Sequence, residues 1–264
     1  MKKQFSILVT VLLAILSVAW YAEAGDEITY SPKTDVEVAA VFAAPDIQPY
    51  IEADGDQEKL DSIWVYYTNG IFEQFAEVDD SVLLFSAGTY ELLNDANFVY
   101  EDSGTGNGQI IIRREKKLSS NGLEDYQSEH TYDLGTLGFT QLYAPNPERK
   151  VAAVFYGCDK QPYVEADGDQ EKLDTWWIYY TNGTFEQFAI MDDEPADKIV
   201  LFSEGEYQLR EGSSFVYENG EEDDNITIHR TKKYSQGSLA PYDSTHDYEL
   251  GTLNFARIVA IEHS

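Results

Sequence analysis

Residues 63–77 read Ile-Trp-Val-Tyr-Tyr-Thr-Asn-Gly-Ile-Phe-Glu-Gln-Phe-Ala-Glu, the pattern of two β-strands joined by a tight turn. Asn-Gly between two runs rich in aromatic residues favours a two-residue type I′ turn, because both positions tolerate the positive φ that this turn requires. The stretch therefore predicts strands Ile63–Thr68 and Ile71–Glu77 with Asn69-Gly70 as the turn between them.

Nearly the same stretch returns at residues 176–190, where it predicts strands Trp176–Thr181 and Thr184–Ile190. Other segments repeat in the same order, namely 38–42 as 151–155 and 132–137 as 248–253. A repeat with this fixed order indicates two tandem copies of one domain. Residues 144–150 contain two prolines, which predicts a linker between copy one (residues 25–143) and copy two (residues 151–264).

The rest of each copy is also typical of strands and turns, and no segment has a sustained period of 3.6 residues. A second hairpin turn is predicted at Ala87-Gly88 and at its counterpart Glu204-Gly205. Further strands are predicted at Phe98–Glu101, Gln109–Lys117, Thr131–Phe139, Phe215–Glu218, Asn225–Lys233 and Asp247–Phe255. The fold class is therefore all-β, with each copy an antiparallel meander of seven or eight strands that forms a small barrel or a sandwich.

The N-terminus has the three parts of a bacterial-type signal peptide. Lys2 and Lys3 precede an apolar run over residues 5–19, and Ala22-Glu23-Ala24 has small residues at the cleavage-site spacing. We expect cleavage after Ala24, secretion of the mature chain and no membrane insertion once residues 1–24 are removed.

Charge limits the partners of the mature chain. Without residues 1–24, 16 basic and 47 acidic residues remain, a formal charge of −31. Such a surface repels the phosphate backbone of nucleic acids and attracts cations or basic partners. We therefore expect no nucleic-acid binding.

Pairing across a two-residue Asn-Gly turn assigns the hairpin side chains to two faces, because opposite partners share a face. One face is predicted to be core and carries Ile63, Val65, Tyr67, Phe72, Gln74 and Ala76, with Trp176, Ile178, Tyr180, Phe185, Gln187 and Ala189 in copy two. The other face carries Trp64, Tyr66, Glu73 and Phe75, with Trp177, Tyr179, Glu186 and Phe188 in copy two.

This second face places a carboxylate among aromatic rings, which suits a sugar ring or a segment of a surface protein. The sugar would stack its C–H face on the rings and bond the carboxylate through its hydroxyls. The alternative is that these aromatics only stabilise the sheet and are covered by an opposite wall or by the other copy.

A polar run shared by both copies is the second candidate site. Residues 52–61 and 165–174 are identical, lie outside the predicted strands and provide carboxylates around a glycine, as calcium sites do. The predicted calcium ligands are Asp54, Asp56, Glu58, Asp61, Asp167, Asp169, Glu171 and Asp174. The run resembles the aspartate-rich calcium loops of EF-hand and dockerin-type proteins, although its glycine is second rather than sixth after the first aspartate. The alternative is an acidic loop or one helical turn.

Basic residues are concentrated in two equivalent predicted strands. They are Arg113, Arg114, Lys116 and Lys117 in copy one, and Arg230, Lys232 and Lys233 in copy two. In so acidic a chain we expect them to pair with nearby carboxylates, and the alternative is a site for an anion.

The sequence favours binding over catalysis. It lacks the common nucleophile, phosphate-binding and zinc-ligand motifs. The function predicted is a secreted tandem-repeat binding protein that recognises a glycan or a surface protein through its aromatic and carboxylate faces. A structural extracellular protein with calcium-stabilised acidic loops is the first alternative, and a hydrolase with paired carboxylates is the second.

Overall fold

The computed structural model describes residues 36–52, 55–79, 81–99, 108–120, 122–134, 138–164, 169–191, 197–216, 224–235, 237–253 and 255–261. These ranges are nearly all β-strand and form two seven-stranded antiparallel sheets, which confirms the all-β prediction. The predicted signal peptide at residues 1–24 lies outside the described residues. Within the described ranges, no helix has the length and apolar character needed to cross a membrane.

Each copy supplies one sheet. Copy one contains β1 (Val38–Ile51), β2 (Gln57–Tyr67), β3 (Ile71–Val78), β4 (Ser81–Leu93), β5 (Gln109–Ser119), β6 (Gly122–Asp133) and β7 (Thr140–Tyr143). Copy two contains β8 (Val151–Val164), β9 (Gln170–Tyr180), β10 (Thr184–Met191), β11 (Lys198–Leu209), β12 (Asn225–Ser235), β13 (Ser238–Glu249), a 3-10 turn (Leu250–Thr252) and β14 (Ala256–Ala260). The strand orders are β6-β5-β4-β3-β2-β1-β7 and β13-β12-β11-β10-β9-β8-β14, so both are meanders whose last strand returns beside the first.

The turn between β2 and β3 differs from the predicted type I′ turn. The amide of Gly70 donates to the carbonyl of Tyr67 at 3.1 Å, and Gly70 alone of the turn residues has positive φ, at 84°. The loop therefore has three residues and ends in a glycine bulge. This shifts the pairing by one residue, so Tyr66 lies opposite Phe72 and Trp64 opposite Gln74. A shift of one residue moves every side chain of β3 to the other face of the sheet.

The predicted hairpin turns at Ala87-Gly88 and Glu204-Gly205 are wrong, because these dipeptides lie inside strands β4 and β11. Each glycine sits at a pairing irregularity, where a Cβ atom would lie 2.0 Å from a carbonyl oxygen of the next strand. Glycine here permits a close approach of two backbones rather than a reversal of the chain. The turn after β3 lies instead near Asp79, whose φ is 51°.

The other strand predictions are confirmed at Gln109–Lys117 and Asn225–Lys233 but not at Phe98 or Phe215, which lie outside strands. Strands β6 and β13 begin well before residues 131 and 247, and they end at Asp133 and Glu249. Most of their side chains are exposed and polar, so their apolar alternation is weak. They are also edge strands of their sheets, where one row of backbone groups is left without a ladder partner.

The two sheets belong to one compact unit and share a hydrophobic core. Copy one contributes Ile63, Val65 and Tyr67 to this core, and copy two contributes Trp176, Ile178 and Tyr180. We call these two surfaces the shared faces. Their burial confirms the core prediction for β2 and β9. Phe72, Gln74 and Ala76 are buried as predicted, but they follow the shifted pairing and lie on the opposite face.

Candidate functional site

The predicted aromatic and carboxylate face is not brought together in either copy. In β9 and β10, Tyr179 lies opposite Phe185, whereas Glu186 lies opposite Ile178 on the other side of the sheet. Phe188 likewise lies opposite Trp176 rather than beside Trp177. The same division in copy one places Trp64 and Tyr66 on one face, and Glu73 and Phe75 on the other.

The two glutamates lie on the shared faces and accept hydrogen bonds from within the protein. The hydroxyl of Tyr67 donates to Glu73 at 2.7 Å, and the hydroxyl of Tyr180 donates to Glu186 at 2.5 Å. Arg149, from the linker, adds two bonds to Glu186 at 2.7 and 3.2 Å while its guanidinium lies 4.3 Å from the ring centre of Tyr180. These contacts hold the linker against copy two, and they occupy the carboxylate oxygens proposed for a ligand.

Trp177 and Tyr179 lie on the opposite face, which we call the cavity face. Residues of β8, β9, β12 and β13 surround a cavity of about 380 Å³ there, which is within the size range of small-molecule sites. Because strands from both ends of the meander line one cavity, the sheet must curl around it. The aromatic lining residues are Trp177, Tyr179, Tyr242, Tyr248 and Phe255.

The charged lining of this cavity is basic. It consists of Lys160, Arg230 and Lys233, with His246 beside them, and no aspartate or glutamate among the described residues lines it. In a chain with 48 acidic residues, this absence marks the cavity as locally different from the rest of the surface.

The basic residues of β12 divide between two environments. Lys232 pairs with Glu204 at 2.7 Å, as predicted from the sequence. Arg230 instead lies 5.2 Å from the ring centre of Trp177 with a nitrogen 3.4 Å from the Tyr248 hydroxyl, and Lys233 lies 5.7 Å from the ring centre of Tyr242. A pairing irregularity between Arg230 and Lys232 lets residues 230 and 233 reach the same face.

Copy one repeats this division. Arg113 pairs with Glu91 and Glu129, and Lys116 pairs with Asp125. Arg114 and Lys117 lie over the rings of Trp64 and Tyr126 instead, at 5.4 and 5.5 Å. Pairing with carboxylates therefore accounts for only part of each basic cluster.

Trp177, which lines the cavity, also has a buried donor. The residue is 5% exposed, and its indole N–H has no hydrogen-bond partner among the described residues. An unpaired buried N–H costs about 1–3 kcal/mol. In copy one, the indole N–H of Trp64 is likewise buried and has no hydrogen-bond partner among the described residues.

The acidic run of copy one forms the tip between β1 and β2 and continues into β2, and the run of copy two continues into β9. Strand β2 begins at Gln57, so Glu58 and Asp61 belong to a strand and, three residues apart, lie on opposite faces. Glu171 and Asp174 have the same relation in β9, where Asp169 precedes the strand. The amide of Glu52 donates to the carbonyl of Asp56 at 2.9 Å and closes the first tip. Asp54 and Asp167 lie outside the described residues.

One group of potential metal ligands converges in the described part of the chain, and it lies between the copies. Carboxylate oxygens of Glu77 and Asp174 and the sulfur of Cys158 lie within 4.8 Å of one another. The Cys158 thiol donates to Glu77 at 2.7 Å and the Tyr156 hydroxyl donates to the other oxygen of Glu77. Burial, with help from Glu77, raises the pKa of Cys158, so the thiol stays protonated and Glu77 is satisfied by protein donors.

Asp61 lies beside this group and carries a testable pH dependence. Burial raises the pKa of Asp61 to about 6, with smaller contributions from the negative charges of Asp46, Asp174 and Glu77. A hydrogen bond from the Asp46 amide lowers this pKa but does not offset the effect of burial. The folded state therefore binds a proton that the unfolded state releases near pH 4, so this group lowers stability as pH rises from about 4 to about 6. We expect Asp61→Asn, which keeps the acceptor oxygen, to raise the free energy of unfolding at pH 7 by roughly 1 to 3 kcal/mol.

Urea unfolding of the wild type and the variant at pH 4 and pH 7 measures this effect. At pH 4 the variant and the wild type should have nearly the same free energy of unfolding. Glu148→Gln removes the same charge from an exposed position and serves as the control. A gain of equal size at both pH values would show that titration of Asp61 is not its cause.

A comparison of this chain with family models, curated proteins and solved structures finds no match. The argument for function therefore depends on the cavity and its lining.

Sequence reasoning missed that the aromatic pair and half of each basic cluster share one face. Arg230 lies 53 positions after Trp177 in the sequence, and only the curl of the sheet brings them within 5.2 Å. The sequence feature that pointed to this arrangement is the three-residue spacing between Arg230 and Lys233, which is the same between Arg114 and Lys117. Recognising it required the position of the strand irregularity, which the sequence pattern does not mark.

Proposed function

We propose that this protein is a binding protein that holds a small organic anion with a flat ring in the cavity of copy two. The class of function is the one expected from the sequence, and the chemistry of the site is different, because cations take the place of the carboxylate. In this proposal the chain is exported and each meander curls toward a small barrel. An acidic sugar is negatively charged and can pack the C–H face of its ring on aromatic side chains as a flat ring does, so the proposal retains the predicted glycan.

The observation that carries the proposal is a set of cavity cations that have no carboxylate partner among the described residues of a strongly acidic protein. Arg230 and Lys233 contact aromatic rings and a hydroxyl, and Lys160 lies at the rim. Bonds between a charged donor and a carboxylate or sulfonate are about twice as strong as neutral ones. A ligand anion would therefore gain more here than at any ion-paired basic residue of the chain, where an acidic side chain already competes.

The rings supply the second part of the site. Trp177 stacks against Phe255 at 6.2 Å and lies under Arg230. A ligand ring can pack on the aromatic lining of the cavity while its anionic group accepts from the Arg230 guanidinium. A neutral ligand of the same shape would use the aromatic lining and leave the guanidinium without an anionic acceptor.

Two fluorescent probes of nearly equal shape test this requirement for charge. One is 1-anilinonaphthalene-8-sulfonate, and the other is N-phenyl-1-naphthylamine, which lacks the sulfonate. We expect the sulfonate probe to bind at least tenfold more tightly than the neutral probe, and Arg230→Gln to weaken the binding of the sulfonate probe in copy two about tenfold, since one charge-assisted bond is lost. Displacement of the probe by glucuronate but not by glucose would identify an acidic sugar as ligand.

Lys232→Gln is the matched control. It also removes one positive charge, but from a residue two positions after Arg230 whose side chain pairs with Glu204. It should leave the affinity of the sulfonate probe within about twofold of the wild-type value. Equal weakening by both variants, or equal affinity for both probes, would contradict the proposal.

A further inference from the structure

The cavity lining of copy two is almost completely repeated in copy one. Of the 14 residues that line the cavity, 13 have the same residue type at the equivalent position of copy one. The one exception is Lys160, whose counterpart is Ile47.

Over residues 242–248 of the edge strand β13, this identity is found on one side of the strand only. In β13, the inward residues Tyr242, Ser244, His246 and Tyr248 match Tyr126, Ser128, His130 and Tyr132 of β6. The residues between them, Asp243, Thr245 and Asp247, differ from their counterparts Gln127, Glu129 and Thr131. Core packing explains identical apolar residues, but it does not explain why tyrosine, histidine and serine are retained at alternate positions of an edge strand.

The contact between guanidinium and indole is also repeated. The Arg114 guanidinium lies 5.4 Å from the Trp64 ring centre, and the Arg230 guanidinium lies 5.2 Å from that of Trp177. Both indole N–H groups lack a partner among the described residues. Phe139 lies closer to Trp64, at 5.7 Å, than Phe255 does to Trp177, at 6.2 Å, so the space beside Trp64 is narrower.

The exchanged residue lies at the rim. Ile47 is 41% exposed, and its terminal methyl lies 3.9 Å from where a Cβ atom would stand on Gly138. Lys160 is also exposed in copy two. The exchange therefore removes one positive charge from the rim of the copy-one site and leaves the deeper donors unchanged.

We infer that copy one carries a second site for the same class of ligand, an organic anion with a flat ring, and that its affinity is lower because Ile47 replaces Lys160. This inference rests on the function proposed for copy two. One rim charge near a bound anion changes affinity by roughly five- to tenfold, given partial screening by solvent.

Isothermal titration calorimetry of the full chain with 1-anilinonaphthalene-8-sulfonate tests the inference. We expect two binding events per chain, with affinities that differ by roughly five- to tenfold. Arg114→Gln should weaken the weaker event about tenfold, and Arg230→Gln should weaken the tighter event about tenfold. Ile47→Lys, at an exposed position, should bring the weaker event to within about threefold of the tighter one.

The outcomes separate the two proposals. A single binding event that Arg230→Gln weakens about tenfold and Arg114→Gln leaves unchanged would overturn the second site and leave the proposed function intact. No binding event in the wild type would overturn both. Two events that Ile47→Lys leaves unchanged, in a variant that melts like the wild type, would overturn the role given to the rim charge.

Discussion

Copy two produced alone, as residues 151–264, is expected not to reach its native tertiary structure. Its shared face would expose Trp176, Ile178 and Tyr180, which are 1%, 0% and 0% exposed in the full chain. Burial of each large apolar side chain contributes about 1.5–3 kcal/mol, and the net stability of a domain is only about 5–15 kcal/mol. Loss of one whole face of the core therefore removes much of the margin that keeps copy two folded.

Near-ultraviolet circular dichroism and size-exclusion chromatography measure this outcome. The isolated copy should show weak aromatic signals and should self-associate through the exposed face. Production together with residues 25–143 is the control, since the missing face would be supplied by a second chain. A monomeric copy two with a cooperative melt and native aromatic signals would show that the copies fold independently.

The second large effect is expected for Gly205→Ala. A Cβ atom at residue 205 would lie 2.0 Å from the carbonyl oxygen of His229, and the neighbouring atom is backbone that cannot rotate away. The strands β11 and β12 must separate at their pairing irregularity, which removes ladder hydrogen bonds on both sides. We expect a loss of at least about 3 kcal/mol in the free energy of unfolding, measured by urea titration of the full chain.

Gly237→Ala is the matched control for this change. Gly237 has a φ of 83° and no atom within 4 Å of its hypothetical Cβ, so the cost is the backbone strain alone, about 1 kcal/mol. Similar unfolding midpoints for the two variants would mean that the close strand approach at Gly205 is not rigid.

Much of the fold could be predicted from the sequence because its repeat and its strand alternation are local patterns. The shared-face residues of β2 and β9 were identified correctly as core, since alternation within one strand needs no knowledge of the partner strand. The aromatic residues predicted to form a ligand-binding face, Trp64, Tyr66, Trp177 and Tyr179, are buried as well. The side chains of β3 and β10 were assigned to the wrong faces, because that assignment depends on whether the turn before each strand has two or three residues. Asn-Gly is compatible with both, and the hydrogen bond from Gly70 to Tyr67 selects the longer one.

The candidate site could be predicted only in part for the same reason. Trp177 and Tyr179 were named from the sequence and do line the cavity, whereas Glu186 and Phe188 turn toward the other copy. The ligand, calcium binding and secretion remain predictions, and the titration and probe experiments address the first of them.

The sequence by itself determined the all-β class, the duplication and the alternation of side chains along each strand, because these follow from periodicity within short segments. Only the tertiary structure decided which faces meet. Strand register decides that the two shared faces pack into one core. The curl of the sheet brings Arg230 to Trp177. Register is a property of two paired strands, and a shift of one residue turns every side chain of a strand to the opposite face of the sheet. The sequence of one strand alone therefore does not determine which face its side chains occupy.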